Sequence, residues 1–281
     1  MQDRSAREAA MQQQVPQLRF ATTRLGSGPR VHYAEQGDPG GAPIIFLPAY
    51  TDSWFSYSRV LPLLPPRYHA FAVDQRGHGD SERPSCCNSV EDFAADVVAF
   101  LDAVRVERAS LVGHSGSCFV ARRVAELQPE RVARLVLIGS PGSLGNNRAV
   151  LEFQTAVRAL EDPVPAQFAR EVQRAAAHVR LPEPFFERMV AESLKLPARV
   201  WKSALDGLVA FDDTADLGRI SAPTLLLWGQ SDRLLSQEEQ DHLAAAIPGA
   251  RVIVYAETGH SPNWERPQQV AADLDAFMRE A

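Results

Sequence analysis

Three residues of this chain have the types and the order needed to turn a serine into a nucleophile: Ser115, Asp232 and His260. A serine hydroxyl is a weak nucleophile at neutral pH. It needs a base to take its proton, and the base needs an acid to hold and orient it. Ser115 lies in Gly113-His114-Ser115-Gly116-Ser117, directly after the apolar run Ser110-Leu111-Val112. Small residues on both sides permit a sharp strand-to-helix turn, which lifts the hydroxyl clear of the sheet and aims the following N–H groups at a developing oxyanion. Ser117 stands where a fifth-position glycine is usual, a small-for-small exchange. Asp232 comes four residues after Trp228, and His260 five residues after Tyr255, each just past a strand-like run. Loops at one edge of a parallel sheet converge, so separation along the chain is no obstacle.

Other titratable residues compete for these roles. Asp212, Asp213 and Asp216 precede the strand that starts near Pro223, where acids more often cap helices. No carboxylate follows the apolar run 134–138, because Gly139-Ser140-Pro141-Gly142 occupies that position. Glu257 reads as a solvated loop residue and His78 as structural. His114, beside the serine, either lines a pocket or is a satisfied structural histidine.

The elements that must position these residues are legible as apolar runs. Strands are expected over 18–24, 30–35, 43–47, 69–73, 110–113, 134–139, 224–228 and 251–255. The later runs are nearly continuous in apolar residues, as when helices cover both sheet faces. Helices are expected over 89–104, where Phe93, Val97, Leu101 and Val104 share a face after an N-cap-like Ser89, and over 116–127, closed by Pro129. Such alternation predicts an α/β fold: a mostly parallel, eight-stranded sheet flanked by helices, with its site at the carboxyl ends of the strands. From 142 to 216 no strand is evident, and helical stretches are broken by Pro163, Pro165, Pro182, Pro184 and Pro197. This segment is expected to be a helical cap over a core made of residues 18–141 and 217–281, with 1–17 a flexible tail. Most of its aromatics should form the cap's own core. Phe185, Met189 and Trp201 are expected to face the serine and to line an apolar pocket with Trp54, His114 and Trp264.

Composition narrows the setting. The chain has 281 residues, 45% hydrophobic and 23% charged, which suits a packed globular core. A net charge of −6 argues against nucleic acid or an anionic membrane as partner, and no apolar stretch approaches the ~20 residues that span a bilayer. The 3 cysteines are Cys86, Cys87 and Cys118. Cys86 and Cys87 are adjacent, and pairing them closes a strained ring, so they are expected to stay free, while Cys118 reads as a small buried thiol. A cytoplasmic setting fits. No Cys/His pairs have metal-ligand spacing, so no metal site is expected. Composition leaves oligomeric state open.

The chain resembles the α/β-hydrolase superfamily, in particular its capped, esterase-like group. The likeness runs from about Leu18 to the C-terminus. Besides the elbow, it rests on Asp74-Gln75-Arg76-Gly77-His78-Gly79-Asp80-Ser81, similar to a D-x-R-G-x-G-x-S turn, and on Pro223-Thr224-Leu225-Leu226-Leu227-Trp228-Gly229 before the acid. The resemblance implies Ser115 as nucleophile, His260 as general base and then acid, and Asp232 as its orienting carboxylate. It places the oxyanion donors at the backbone N–H groups of Gly116 and Tyr50. Pro48-Ala49 replaces the His-Gly usual in this loop. Only Pro48 lacks an N–H, so the donor survives, but a bracing histidine is lost. The implied activity is hydrolysis of a small to medium, largely apolar ester or lactone through an acyl-enzyme, without a cofactor. A serine elbow speaks against the aspartate chemistry of haloalkane dehalogenases and epoxide hydrolases. Cleavage of carbon–carbon bonds, cofactor-free perhydrolysis, amide hydrolysis and a hydrolase-like binding protein use the same frame. A C–C hydrolase would want a cation for a substrate carboxylate, with Arg148, Arg188 and Arg199 as candidates.

Overall fold

Two apolar cores share one sheet. The computed structural model describes residues 17–26 and 28–280, so the tail expected over 1–17 falls, except for Gln17, outside the described residues. The eight strands are β1 (Arg19–Arg24), β2 (Arg30–Gly37), β3 (Ala42–Leu47), β4 (Tyr68–Val73), β5 (Ala109–His114), β6 (Val132–Ile138), β7 (Thr224–Gly229) and β8 (Arg251–Tyr255). Their spatial order is β1-β2-β4-β3-β5-β6-β7-β8. β1 and β2, and β2 and β4, pair antiparallel, and every other neighbour pair is parallel. Successive side chains on a strand face opposite ways, and the cores divide accordingly. Ile45, Leu47, Leu111, Leu135, Leu137 and Leu226 enter one core, while Ile44, Phe46, Val112, Val136, Ile138, Leu225 and Leu227 enter the other. This two-sided burial explains why the central strands read as unbroken apolar runs.

The first core is closed by α1 (Val90–Ala103) and α2 (Ser117–Leu127) and by Leu243 of α7 (Gln237–Ala246). Ser89 caps α1 in a reciprocal box with Asp92, which satisfies two otherwise orphaned N–H donors and typically contributes ~1 kcal/mol. The second core is closed by Val270, Leu274 and Phe277 of α9 (Pro267–Met278), which follows the short α8 (Pro262–Glu265). Between β6 and β7 stand α3 (Arg148–Arg158), α4 (Ala166–Ala175), α5 (Glu183–Ser193) and α6 (Ala198–Ala210). They share a third core containing Met189, Val200 and Trp201, which packs onto Trp264, Tyr50 and Phe55 of the sheet-bearing part.

The chain leaves β3 toward β4 on one side and returns as β5 on the other. A crevice opens where strand order reverses, at the carboxyl ends of β3 and β5. The loop carrying Tyr50 and the turn carrying Ser115 both start there.

One sequence expectation is corrected. The sulfurs of Cys86 and Cys87 are joined as a vicinal disulfide. Cys87 has φ +71°, a left-handed conformation outside the extended and helical ranges in which adjacent side chains diverge. Cys118 is a free, buried thiol.

Candidate active site

Ser115 has φ +54°, a conformation a non-glycine residue holds only when its surroundings impose it, at a typical cost of ~1–3 kcal/mol. Its N–H donates to the Ile138 carbonyl at 2.8 Å, and its carbonyl accepts from the Cys118 N–H at 2.8 Å. The glycine before the serine is sterically required, because backbone blocks a Cβ there, whereas at Gly116 only the flexible end of Leu208 stands in the way. A Cβ at Gly113 would lie 2.7 Å from the Ser117 carbonyl oxygen, and one at Gly116 would lie 2.7 Å from Leu208 Cδ1.

The structure brings Ser115, His260 and Asp232 into one hydrogen-bonded line. Ser115 Oγ lies 2.8 Å from His260 Nε2, and His260 Nδ1 lies 2.8 Å from Asp232 Oδ2. Asp232 Oδ1 accepts the N–H groups of Leu234 at 2.8 Å and Leu235 at 3.2 Å, which leaves Oδ2 to the imidazole. With Asp232 accepting from Nδ1–H, Nε2 is the bare nitrogen and the serine hydroxyl donates to it. The carboxylate side chain is buried and the imidazole nearly so. Gly139, with φ +54°, gives the ring room: a Cβ there would sit 2.7 Å from the His260 carbonyl oxygen and 3.1 Å from two ring atoms.

A buried glutamate that sequence reasoning missed holds the histidine loop. Glu265 Oε1 accepts from the N–H groups of Gly259 at 2.9 Å and His178 at 3.0 Å, and Oε2 from that of Val179 at 3.1 Å. It thereby ties the turn before His260 to the link between α4 and α5.

Tyr50 and Gly116 border the same cavity as Ser115, and among the described residues neither backbone N–H has a hydrogen-bond partner. The two departures in this region meet each other. Ser117 Oγ donates to the Pro48 carbonyl, and Gln75 Nε2 donates to Ser117 Oγ at 2.8 Å and to Pro48 O at 3.3 Å. A glycine at 117 could not brace this loop; the serine does so where a histidine at 48 is absent. Tyr50 adds a second anchor, its hydroxyl donating to the Trp201 carbonyl at 2.7 Å.

The cavity over Ser115 has a volume of about 370 Å³, within the range of small-molecule sites. His114 and Trp264 line it. Burial, and then the neighbouring His260, push His114 down to about 3, so it stays neutral; its Nε2 lies 3.3 Å from the His260 carbonyl oxygen. The other four expected pocket residues do not line it. Trp54 packs edge-on against Phe20, with centroids 4.8 Å apart, and joins the second core. Phe185 stacks on Phe55 at 5.4 Å, while Met189 and Trp201 are fully buried in the core of the inserted helices. Burying these large apolar side chains between helices removes more of their surface from water than a place on the cavity wall would. The walls come instead from Leu144, Phe153, Phe168, Leu205, Leu208 and Leu235.

The competing acids have other partners. Asp213 forms a fully buried, two-pronged pair with Arg122 at 2.7 Å, Asp212 accepts from Thr214, and Asp216 pairs with Arg219. Glu257 is exposed. His78 is buried against the Arg76 carbonyl at 2.8 Å, and burial lowers its pKa. His32, Asp74 and Asp80 come within reach of a common ion, but Asp74 already accepts the N–H groups of Trp54 at 2.6 Å and Asp80 at 2.9 Å, and so acts as the hub of its turn.

Comparison with known proteins accords with this frame. The profile of the alpha/beta hydrolase fold family matches residues 42–267. Epoxide hydrolase A of Mycobacterium tuberculosis is 28% identical, covering 90% of this chain and 95% of its own. A non-heme chloroperoxidase of Streptomyces lividans is 29% identical, covering 92% and 100%. The crystal structure of a hydrolase from Pseudomonas aeruginosa superposes with a TM-score of 0.82 at 26% identity, covering 94% and 98%.

Proposed function

This chain belongs to the α/β-hydrolase fold family, and from that premise we propose that it is a serine hydrolase of carboxylic esters or lactones. The observation that carries the reading is the continuous line Asp232–His260–Ser115, with the serine on a left-handed elbow beneath a largely apolar cavity. Ser115 Oγ attacks the carbonyl carbon as its proton passes to His260 Nε2. The Tyr50 and Gly116 N–H groups hold the oxyanion, a class of interaction typically worth ~10²–10³ in rate per donor. Collapse expels the alcohol, which takes the proton from His260. Water, deprotonated by His260, then releases the acid and restores the serine. Residues 142–216 act as a cap that covers the cavity and selects the substrate. No step draws on a cofactor.

Ser115 supports ester over epoxide chemistry, because opening an epoxide through a covalent intermediate calls for a carboxylate at that position. The cavity supports uncharged substrates. Among the described residues no arginine or lysine lines it. Arg148 pairs with Glu152, Arg188 with Glu192, and Arg199 donates to the carbonyls of Pro84 and Arg83, so none is offered to a substrate carboxylate of the kind a C–C hydrolase would hold.

The test is hydrolysis of p-nitrophenyl acetate, butyrate and octanoate by wild type and Ser115→Ala. Wild type hydrolyses at least one, and the variant loses about 10⁶ in kcat. Unchanged activity in Ser115→Ala overturns the assignment.

A further inference from the structure

The apolar cavity has one polar corner whose bonding is incomplete. Asp52 enters it from the loop after β3 and Gln173 from α4; they are 1% and 2% exposed. Gln173 Nε2 uses both of its protons, on Asp52 Oδ1 at 3.0 Å and on Ser193 Oγ at 2.6 Å. Asp52 Oδ2 and Gln173 Oε1 are buried and complete no hydrogen bond of good geometry among the described residues. Buried polar atoms left in this condition destabilise a fold, and a cluster of them beside a cavity points to a group that arrives with the ligand.

The chemistry of the corner selects that group. Burial pushes the Asp52 carboxyl up to about 8, and the charge of Glu192 adds to the rise, while Gln173 and the nearby Ser56 hydroxyl offset part of it. At neutral pH the corner is a neutral acid beside an amide oxygen, able both to donate and to accept. An anion would face Glu171, which also lines the cavity. A neutral hydroxyl matches both functions.

Resting on the serine-hydrolase reading, we propose that Asp52 and Gln173 form a hydroxyl-binding subsite, so that the preferred substrate is an ester or lactone bearing a free hydroxyl group. Neither residue touches the reacting atoms; both set specificity.

The experiment uses pairs of substrates with equal numbers of heavy atoms, differing only as hydroxyl against methyl. On the acyl side the pair is p-nitrophenyl 6-hydroxyhexanoate and heptanoate, with homologues from five to eight carbons. On the alcohol side it is 2-hydroxyethyl and propyl butyrate, with longer homologues. Wild type favours the hydroxyl member in at least one series by about tenfold in kcat/KM, expressed mainly through KM. Asp52→Leu and Gln173→Leu bring that ratio to about one, whatever they do to the rate common to both members, whereas Asp52→Asn, neutral and similarly shaped, keeps most of it. Circular dichroism establishes that each variant is folded, and Gln173→Leu tests the corner from a different element should Asp52→Leu fail to fold. A ratio near one for wild type in both series overturns the subsite alone, as does a preference that survives both leucine variants. Absence of hydrolysis of every member overturns the serine-hydrolase reading and the subsite with it.

Discussion

The proposed reaction centre and the cavity above it are built by different rules. At the sheet edge, backbone geometry places each group: Ser115 on the turn after β5, Asp232 after β7, His260 after β8. Each strand end is locked by ladder bonds and, at the elbow, by Ile138 and Cys118. Under the inserted helices, position depends on which face of each helix turns inward, and the helices have their own core to fill. Backbone-placed groups tolerate little relocation. Helix-placed walls can be exchanged among apolar residues of similar volume.

Two buried carboxylates sharpen that contrast most strongly. Asp232→Asn leaves the strand end intact but deprives His260 of the partner that sets its tautomer, and costs about 10⁴ in kcat with a melting temperature close to wild type. Asp213→Asn strips the buried Arg122 of its counter-charge and costs about 3–5 kcal/mol in urea unfolding, while the folded fraction keeps its turnover. Catalytic loss confined to the Asp213 variant would reverse the two assignments.

A smaller effect tests the joint between the regions. Ser117→Gly restores the usual fifth residue but removes the hydroxyl that binds the Pro48 carbonyl and anchors Gln75. The oxyanion loop loosens, and kcat falls about tenfold, within the full loss of an oxyanion donor. KM for a p-nitrophenyl ester changes little. A rate equal to wild type would mean that the Tyr50 anchor alone holds the loop.

The last effect concerns stability and pH. Because burial raises Asp52 to about 8 in the folded protein, the folded state binds its proton more tightly than the unfolded chain between the ordinary carboxylate range and pH 8. Its contribution is therefore greatest at acid pH and declines as pH rises to about 8. Glu192 deepens the decline, and its own pairing with Arg188 and Lys195 moderates it. Asp52→Asn removes the dependence, so the variant gains on wild type by up to a few kcal/mol between pH 5 and pH 9 in denaturant unfolding. A constant difference across that range would contradict the buried, protonated acid.

The same division explains what could be read from residues alone. The strand over 251–255 and the helix over 89–104 were legible because an apolar run and a capping serine are local signals, and the observed elements coincide or shift by a residue or two. The order of Ser115, Asp232 and His260 was legible because strand ends lie at one edge whatever the loop lengths. The cavity was not. Phe168, which lines it, and Trp201, which does not, both lie on apolar faces of inserted helices, and periodicity cannot rank two such faces. Glu265 and Asp52 left no local signal, since their roles exist only when distant backbone amides or side chains arrive. The vicinal pairing of Cys86 and Cys87 depends on a left-handed residue that the sequence does not announce.

The most direct test of the central claim is covalent labelling with a fluorophosphonate probe, followed by peptide mass mapping. One adduct per chain on the peptide containing Ser115, formed in step with loss of esterase activity and absent in Ser115→Ala, is the predicted result. An enzyme that hydrolyses esters while Ser115 stays unlabelled, or that is labelled at another serine, would contradict it.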